Sequence, residues 1–191
     1  RSKGAHIILA MTSGPVAIPL YRQVAELEIP AAITGVNVEA QGGDFWKATG
    51  GMCVYGGFTC QGSNVAMTER TLPFFEKFEK RYGERPSLTA GAYDSVLILR
   101  NAIERADTLN EDKLVKSLEK TDFHGTMGRV VFDENHDCKF GPGYLTGVGA
   151  QWLPNQEIGT WWPQDWHGIT YEGVEEFKFS PWMKEYWQNR N

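Results

Sequence analysis

Within its first 36 residues the chain runs apolar, breaks at a glycine and a proline, resumes at helical spacing and turns apolar again. Ala5-His6-Ile7-Ile8-Leu9-Ala10 reads as a strand and gives way to Thr12-Ser13-Gly14-Pro15. Val16, Leu20, Val24 and Leu27 then recur at the spacing of one helix face. Pro30 stops that helix, and Ala31-Ala32-Ile33-Thr34-Gly35-Val36 reads as the next strand. Strand, helix and strand in so short a span fit two parallel neighbours joined by a right-handed crossover. An α/β chain is therefore expected, and open α/β sheets bind ligands at the carboxyl ends of their strands.

A short helix is expected over 44–49, closed by Gly50-Gly51, and then a β-prone stretch over 52–59 interrupted by Gly56-Gly57. Near residue 71 the character changes. Leu72, Phe75, Phe78 and Tyr82 share one helical face ending at Gly83, and Ala92, Val96, Leu99, Ile103 and Ala106 give a wider and more deeply buried stripe. Asn110 followed by Glu111 and Asp112 marks the start of a third helix. A strand at 129–132, a polar turn at 133–137, a strand at 147–153 and an aromatic tail complete the chain. A doubly wound domain would keep alternating strand and helix. The shift near residue 60 and the return near 142 predict a chain that leaves one lobe, builds part of another and comes back. The helices at 71–120 have only one strand of this chain to cover them, so something else is expected against their apolar faces.

Composition excludes several classes. Of 191 residues, 41% are hydrophobic and the formal net charge is −5 with both signs scattered, so no basic face is offered to nucleic acid. No run approaches the ~20 apolar residues of a membrane span. Asp133, Asn135 and Asp137 open like a calcium loop, but Cys138 and Tyr144 stand where it needs Gly and Glu. The four histidines lack metal-ligand spacing, so neither a metal nor a cofactor is expected. Ser13 lacks the first glycine of a nucleophile elbow, and no nucleophile is paired with a base, so the chain is not read as an enzyme. Trp152, Trp161, Trp162 and Trp166 predict a packed aromatic cluster. Candidate ligand contacts are the strand-end loops at 12–15 and 37–46, with Thr12, Ser13, Asn37, Glu39 and Trp46, residues that serve equally as turn formers and caps. The chain starts at Arg1 just ahead of its first strand, as a trimmed mature chain or one cut from a longer protein would.

The segments "GAHIILAMTSGPVAIPLYRQVAELEIPAAITGVN", "PFFEKFEKRYGERPS", "AGAYDSVLILRNAIERA", "LVKSLEKTDFHGTMGRVVFDENHD" and "GPGYLTGVGAQW" resemble, in order, the second half of the leucine/isoleucine/valine-binding protein family. The resemblance implies the type I periplasmic binding fold, parts of two Rossmann-like lobes joined by crossing hinge strands. Residues 1–57 and 146–191 would belong to the C-terminal lobe and 61–141 to the last part of the N-terminal lobe, with crossings near 55–59 and 143–146. It implies a periplasmic or extracellular solute-binding receptor of an ABC uptake system, a small amino acid-like, carboxylate or aromatic ligand, a membrane permease as partner, and the missing N-terminal half of the same protein. A ligand-sensing domain of a signalling or regulatory protein with the same fold is the alternative.

Carried over residue by residue, Ser13 takes a position where relatives use an aromatic. Asn37 takes that of an acidic residue that holds a ligand ammonium, with Glu39 two further on, and Tyr93 in "GAYD" matches a tyrosine near the cleft. Thr12, Ser13, Asn37, Glu39, Trp46 and Tyr93 are thus expected to converge on one cleft. Locally, Tyr55-Gly56-Gly57-Phe58 reads as a two-residue hairpin that sets Cys53 opposite Cys60. The resemblance instead implies a straight crossing, which puts those thiols ~20 Å apart, with Cys60 near Cys138 as a possible disulfide and Cys53 left buried.

Overall fold

The computed structural model describes residues 4–86 and 89–189. Ile7–Thr12 (β1), Ala17–Glu26 (α1) and Ala32–Asn37 (β2) form the expected unit. β1 and β2 are parallel, in register from Ile7 opposite Ala32 to Thr12 opposite Asn37. Gly35, at φ +119°, backs directly onto the Ala10 carbonyl, where a Cβ would collide with the backbone. α1 turns a different face inward than its spacing predicts. Ala17, Tyr21 and Val24 are buried, whereas Val16 and Leu27 are 58% and 60% exposed. Tyr21 sets this roll: its ring meets Phe45 edge-on at 5.2 Å, and its hydroxyl donates to the Gly57 carbonyl at 2.6 Å.

A 3₁₀ turn at Glu39–Gln41 and a short helix at Asp44–Thr49 (α2), closed by left-handed Gly50 as expected, lead to Gly57–Cys60 (β3). β3 lies parallel to β2, with Val36 opposite Thr59. No hairpin forms, but neither is the whole stretch a straight crossing: 51–55 is a turn in which the Gly56 N–H donates to the Cys53 carbonyl at 2.8 Å, and only the last part of the β-prone 52–59 stretch, from Gly57, is a strand. Thr71–Tyr82 (α3), Thr89–Ala106 (α4) and Glu111–Leu118 (α5) follow. Asn110 caps α5 by accepting the Lys113 N–H at 3.2 Å. Asp122–His124 (β4), which periodicity does not reveal, pairs antiparallel with Arg129–Val131 (β5).

The buried stripes of α3 and α4 also differ from the apolar ones. α3 buries Thr71 and Phe75 and exposes Leu72 and Tyr82. α4 buries Ala90, Asp94, Ile98 and Ala102, while Ala92, Val96 and Leu99 face out, so its wide stripe is not the deeply buried one. Asp94 fixes this orientation. Its Oδ2 accepts the Thr126 N–H at 2.7 Å and the Thr126 hydroxyl at 2.9 Å, an anchor that apolar periodicity assigns to solvent. The apolar faces of α3 and α4 thus remain open within this chain.

Val148–Trp152 (β6) returns antiparallel beside β3, and Ile158–Trp162 (β7) lies antiparallel beside β6, giving one sheet in the order β1-β2-β3-β6-β7. The tail read as aperiodic contains β7 and a last helix, Pro181–Gln188 (α6). It is tied down by polar ends of large side chains. The Gln151 carboxamide bonds the Lys178 carbonyl at 3.0 Å and N–H at 2.6 Å, and the Trp182 and Trp187 indoles donate to the Ile29 and Pro30 carbonyls at 3.1 and 2.8 Å. Two separate cores result: Tyr21, Ile33, Phe45, Phe58 and Trp152 in the first unit, and Ile98, Phe123 and Val130 in the second. The tryptophans divide accordingly, with Trp152 in the first core and Trp162 beside Trp166 at 5.3 Å.

The disulfide is not formed. Cys60 sits in β3 opposite Val148, exposed Cys138 bridges to Phe132 beyond the polar turn, and all three cysteines are free thiols, with Cys53 buried as expected. Burial pushes the Cys53 thiol up to about 11 and the Cys60 thiol up to about 12, so neither ionises at neutral pH. A disulfide reagent at pH 7.5 is expected to titrate one thiol quickly in the native protein, Cys138, and three in denaturant. One thiol in denaturant without reductant would restore the bridge.

Burial pushes the Asp94 carboxyl up, against its bonds to Thr126. A raised folded-state value means that the native state holds this proton more tightly than the unfolded chain does. Its contribution to stability is then fully present below the unfolded aspartate value of about 4 and is lost as pH rises through the raised one. Urea unfolding of wild type relative to Asp94→Asn, measured across that window, is expected to show the decline and to flatten above it.

Candidate functional site

β1, β2 and β3 end together, and the chain crosses into the second unit there. Thr12 lies opposite Asn37 and its carbonyl accepts the Val38 N–H at 3.3 Å, so the two strand-end loops are held side by side. Ser13 is exposed in the turn before α1, and Glu39 is half-buried at the start of the 3₁₀ turn. Asn37 is wholly buried. Its Oδ1 accepts the Ala40 N–H at 3.2 Å, and its carboxamide lies close to the Tyr21 hydroxyl, which burial pushes up to about 12. The residue shapes the loop from inside the core.

The other two candidates come from α2 and α4. Trp46 turns inward, 5.9 Å from Trp152 and against the Gly51 backbone. Tyr93 is exposed on α4, 4.9 Å from Phe74, in a groove shared with Arg70, Phe78 and Tyr82. That groove takes none of the other five candidates. Thr12, Ser13, Asn37 and Glu39 therefore share one end of the sheet, Trp46 packs against the first core, and Tyr93 stands on α4 in the second unit.

A cavity of about 730 Å³ opens at the same end of the sheet. Val36, Val38, Thr59 and Gln41 line it from the strand ends, Trp161 and Trp162 from β7, and Met127, Phe140 and Leu145 from the second unit. Sequence reasoning missed Trp161 and Trp162 because the tail lacks periodicity. The available signal was the pair itself, two indoles within an Ile-Gly-Thr-Trp-Trp run fit for a strand.

Beside this cavity the two units are joined by a buried polar link. Ser63 Oγ accepts both the Arg85 guanidinium, at 3.1 Å, and the Thr160 hydroxyl, at 2.8 Å. Burial lowers the Arg85 pKa, opposed by Cys60, Glu79 and Glu157, and the guanidinium lies 5.8 Å from the Phe75 ring centre. Ser63→Ala strands two buried donors and is expected to cost about 1–3 kcal/mol of unfolding free energy, read by urea denaturation. Among the described residues, no group of three His, Cys, Asp or Glu is placed to hold a metal ion, and no helix is long and apolar enough to cross a membrane.

A family model described as periplasmic binding protein matches residues 1–150. Solved structures with the same fold include a leucine binding protein from Thermotoga maritima, at 24% identity and a TM-score of 0.68 over 82% of this chain and 43% of that one. A branched-chain amino acid transporter substrate binding protein from Streptococcus pneumoniae, in complex with isoleucine, gives 22% and 0.63 over 82% and 44%. A solute binding protein from R. palustris, in complex with benzoate, gives 14% and 0.64 over 81% and 41%. No curated protein sequence matches. The chain spans less than half the length of these solved structures.

Proposed function

Because the chain belongs to the periplasmic binding protein family, we propose that it is the C-terminal part of a solute-binding receptor serving an ABC uptake system, working in the periplasm or outside the cell. The observation that carries this reading is the ligand-sized cavity where parallel strands end and two separately cored units meet. Such receptors hold a small molecule between lobes and need no nucleophile or metal. Neighbours in fold were solved with leucine, isoleucine and benzoate, which brackets the ligand as a small amino acid-like, carboxylate or aromatic molecule. In this reading residues 1–57 and 146–191 form one lobe, 61–141 belong to the other, and the crossings at 55–59 and 143–146 are the hinge. Thr12, Ser13 and Glu39, at the ends of β1 and β2, are not among the residues that line the cavity.

The rest of the receptor is expected to cover what this chain leaves bare. β1 is an edge strand whose outward residues Ile7, Leu9 and Met11 are 62–72% exposed, and α4 presents Val96 and Leu99. Apolar patches on this scale mark contact surfaces. Residues 1–191 produced alone are expected to bind a hydrophobic dye strongly, and the full-length protein weakly. Mass spectrometry of full-length protein purified without denaturation tests the receptor role directly. A single small molecule carried through in stoichiometric amount supports it, and an empty protein to which no amino acid, carboxylate or aromatic solute gives a thermal shift overturns it.

A further inference from the structure

After β7 the chain leaves the sheet at Pro163, whose ring is fully buried, and later comes back to the same strand, where the Glu175 N–H donates to the Thr160 carbonyl at 2.8 Å. The Gln164 carboxamide closes the base by donating to the Glu175 carbonyl at 3.1 Å. Within the loop, Trp166 and Ile169 exchange backbone bonds at 3.1 and 2.9 Å, and Asp165 Oδ1 accepts the Gly168 N–H at 3.2 Å. Compact loops whose ends meet in this way are frequently functional. Tied at its base to β7, this one moves with the first unit.

Its other contacts are with the two connections to the second unit. The Trp166 ring lies 5.3 Å from Trp162 and 6.0 Å from Phe140, at the far end of the second unit. The Tyr171 hydroxyl meets the hydroxyl of Thr146, buried in the returning connection, at 2.9 Å. On the outgoing connection, the Ala66 N–H makes a long bond of 3.5 Å to the Glu172 carbonyl, and buried Val65 lies against Gly173. One loop thus grips the chain at 65–66 and at 140–146. All of these groups belong to this chain, so the grip does not wait for the rest of the receptor.

A single pair of adjacent strands, β3 and β6, can bend and twist together, and alone it lets the second unit swing. Contacts away from that pair resist the swing. Any large rotation has to draw Phe140 off Trp166 and Thr146 off Tyr171, because the loop stays with β7. Contacts of this kind bias an equilibrium between two orientations without freezing it.

Resting on the receptor reading, in which the units turn about these connections, we propose that residues 163–175 are a strap that latches the hinge: Trp166 and Tyr171 hold the second unit in this orientation, and it swings only as they release Phe140 and Thr146. The test measures the separation of the units with no solute present. Full-length protein whose only reactive thiols are Gln23→Cys on α1 and Lys116→Cys on α5, in a Cys138→Ser background, carries two spin labels, and pulsed electron resonance gives their distance distribution. Phe140→Ala and Tyr171→Phe each remove one strap contact, and neither residue belongs to a core; Phe140 is 67% exposed. Each variant is expected to raise the ratio of a second separation to the first by roughly three- to tenfold, the effect of losing one aromatic pair or one hydrogen bond, and the double variant by more than either. Distributions that superimpose on wild type in both variants overturn the latch, even where a solute carried through purification upholds the receptor. A shift accompanied by lost circular dichroism is unfolding and also counts against it. The expected shift in a protein that carries no solute, and gains no thermal shift from any amino acid, carboxylate or aromatic solute, upholds the latch and overturns the receptor reading.

Discussion

Cys60 and Val148 face each other across the ladder between β3 and β6, and all of residues 61–147 must begin and end at that one place. Whatever the second unit does, it does from two adjacent, hydrogen-bonded strands. This anchoring puts α3–α5 beyond the carboxyl end of the parallel strands, where strand-end loops and helix termini leave polar groups to be satisfied. The antiparallel return also supplies the sheet with β7, and hence with the indoles that wall the cavity. A parallel return would have needed another crossover helix.

What the sequence disclosed follows the range of the interactions involved. Gly50 closing α2 and Asn110 opening α5 are local devices, read within a few residues of where they act. The crossover unit is legible for the same reason, since Pro30 and the alternation of run and stripe are all near neighbours. The inward faces of α1 and α4 were not legible, because Tyr21 and Asp94 set them through partners 36 and 32 residues away. α6 rests on indole-to-carbonyl bonds that span more than 150 residues. Asn37 shows the limit at the site: its place at a strand end was readable, but its inward turn toward Ala40 and Tyr21 belongs to the fold.

The two units differ in how much of themselves they contain. The first has a sheet with helices on one face and a tail crossing the other. The second has three helices and one small antiparallel pair, with a core of only a few residues. The link through Ser63 therefore matters more than its size suggests. It joins the loop after α3 to β7 by groups that have left water and have few alternatives, so relative motion of the units has to carry Arg85, Ser63 and Thr160 together or expose them.

The free edge of β1 has a consequence for the life of the polypeptide before assembly. Ile-Ile-Leu-Ala-Met-Thr is six residues without a charge, a proline or a glycine, and one side of its backbone ladder has no partner among the described residues. Protein edges are ordinarily protected by a lysine, a bulge or a covering loop, and a bare one templates strand addition by any chain that meets it. Until another strand or loop covers that edge, it is where strand addition by a second chain is expected to begin.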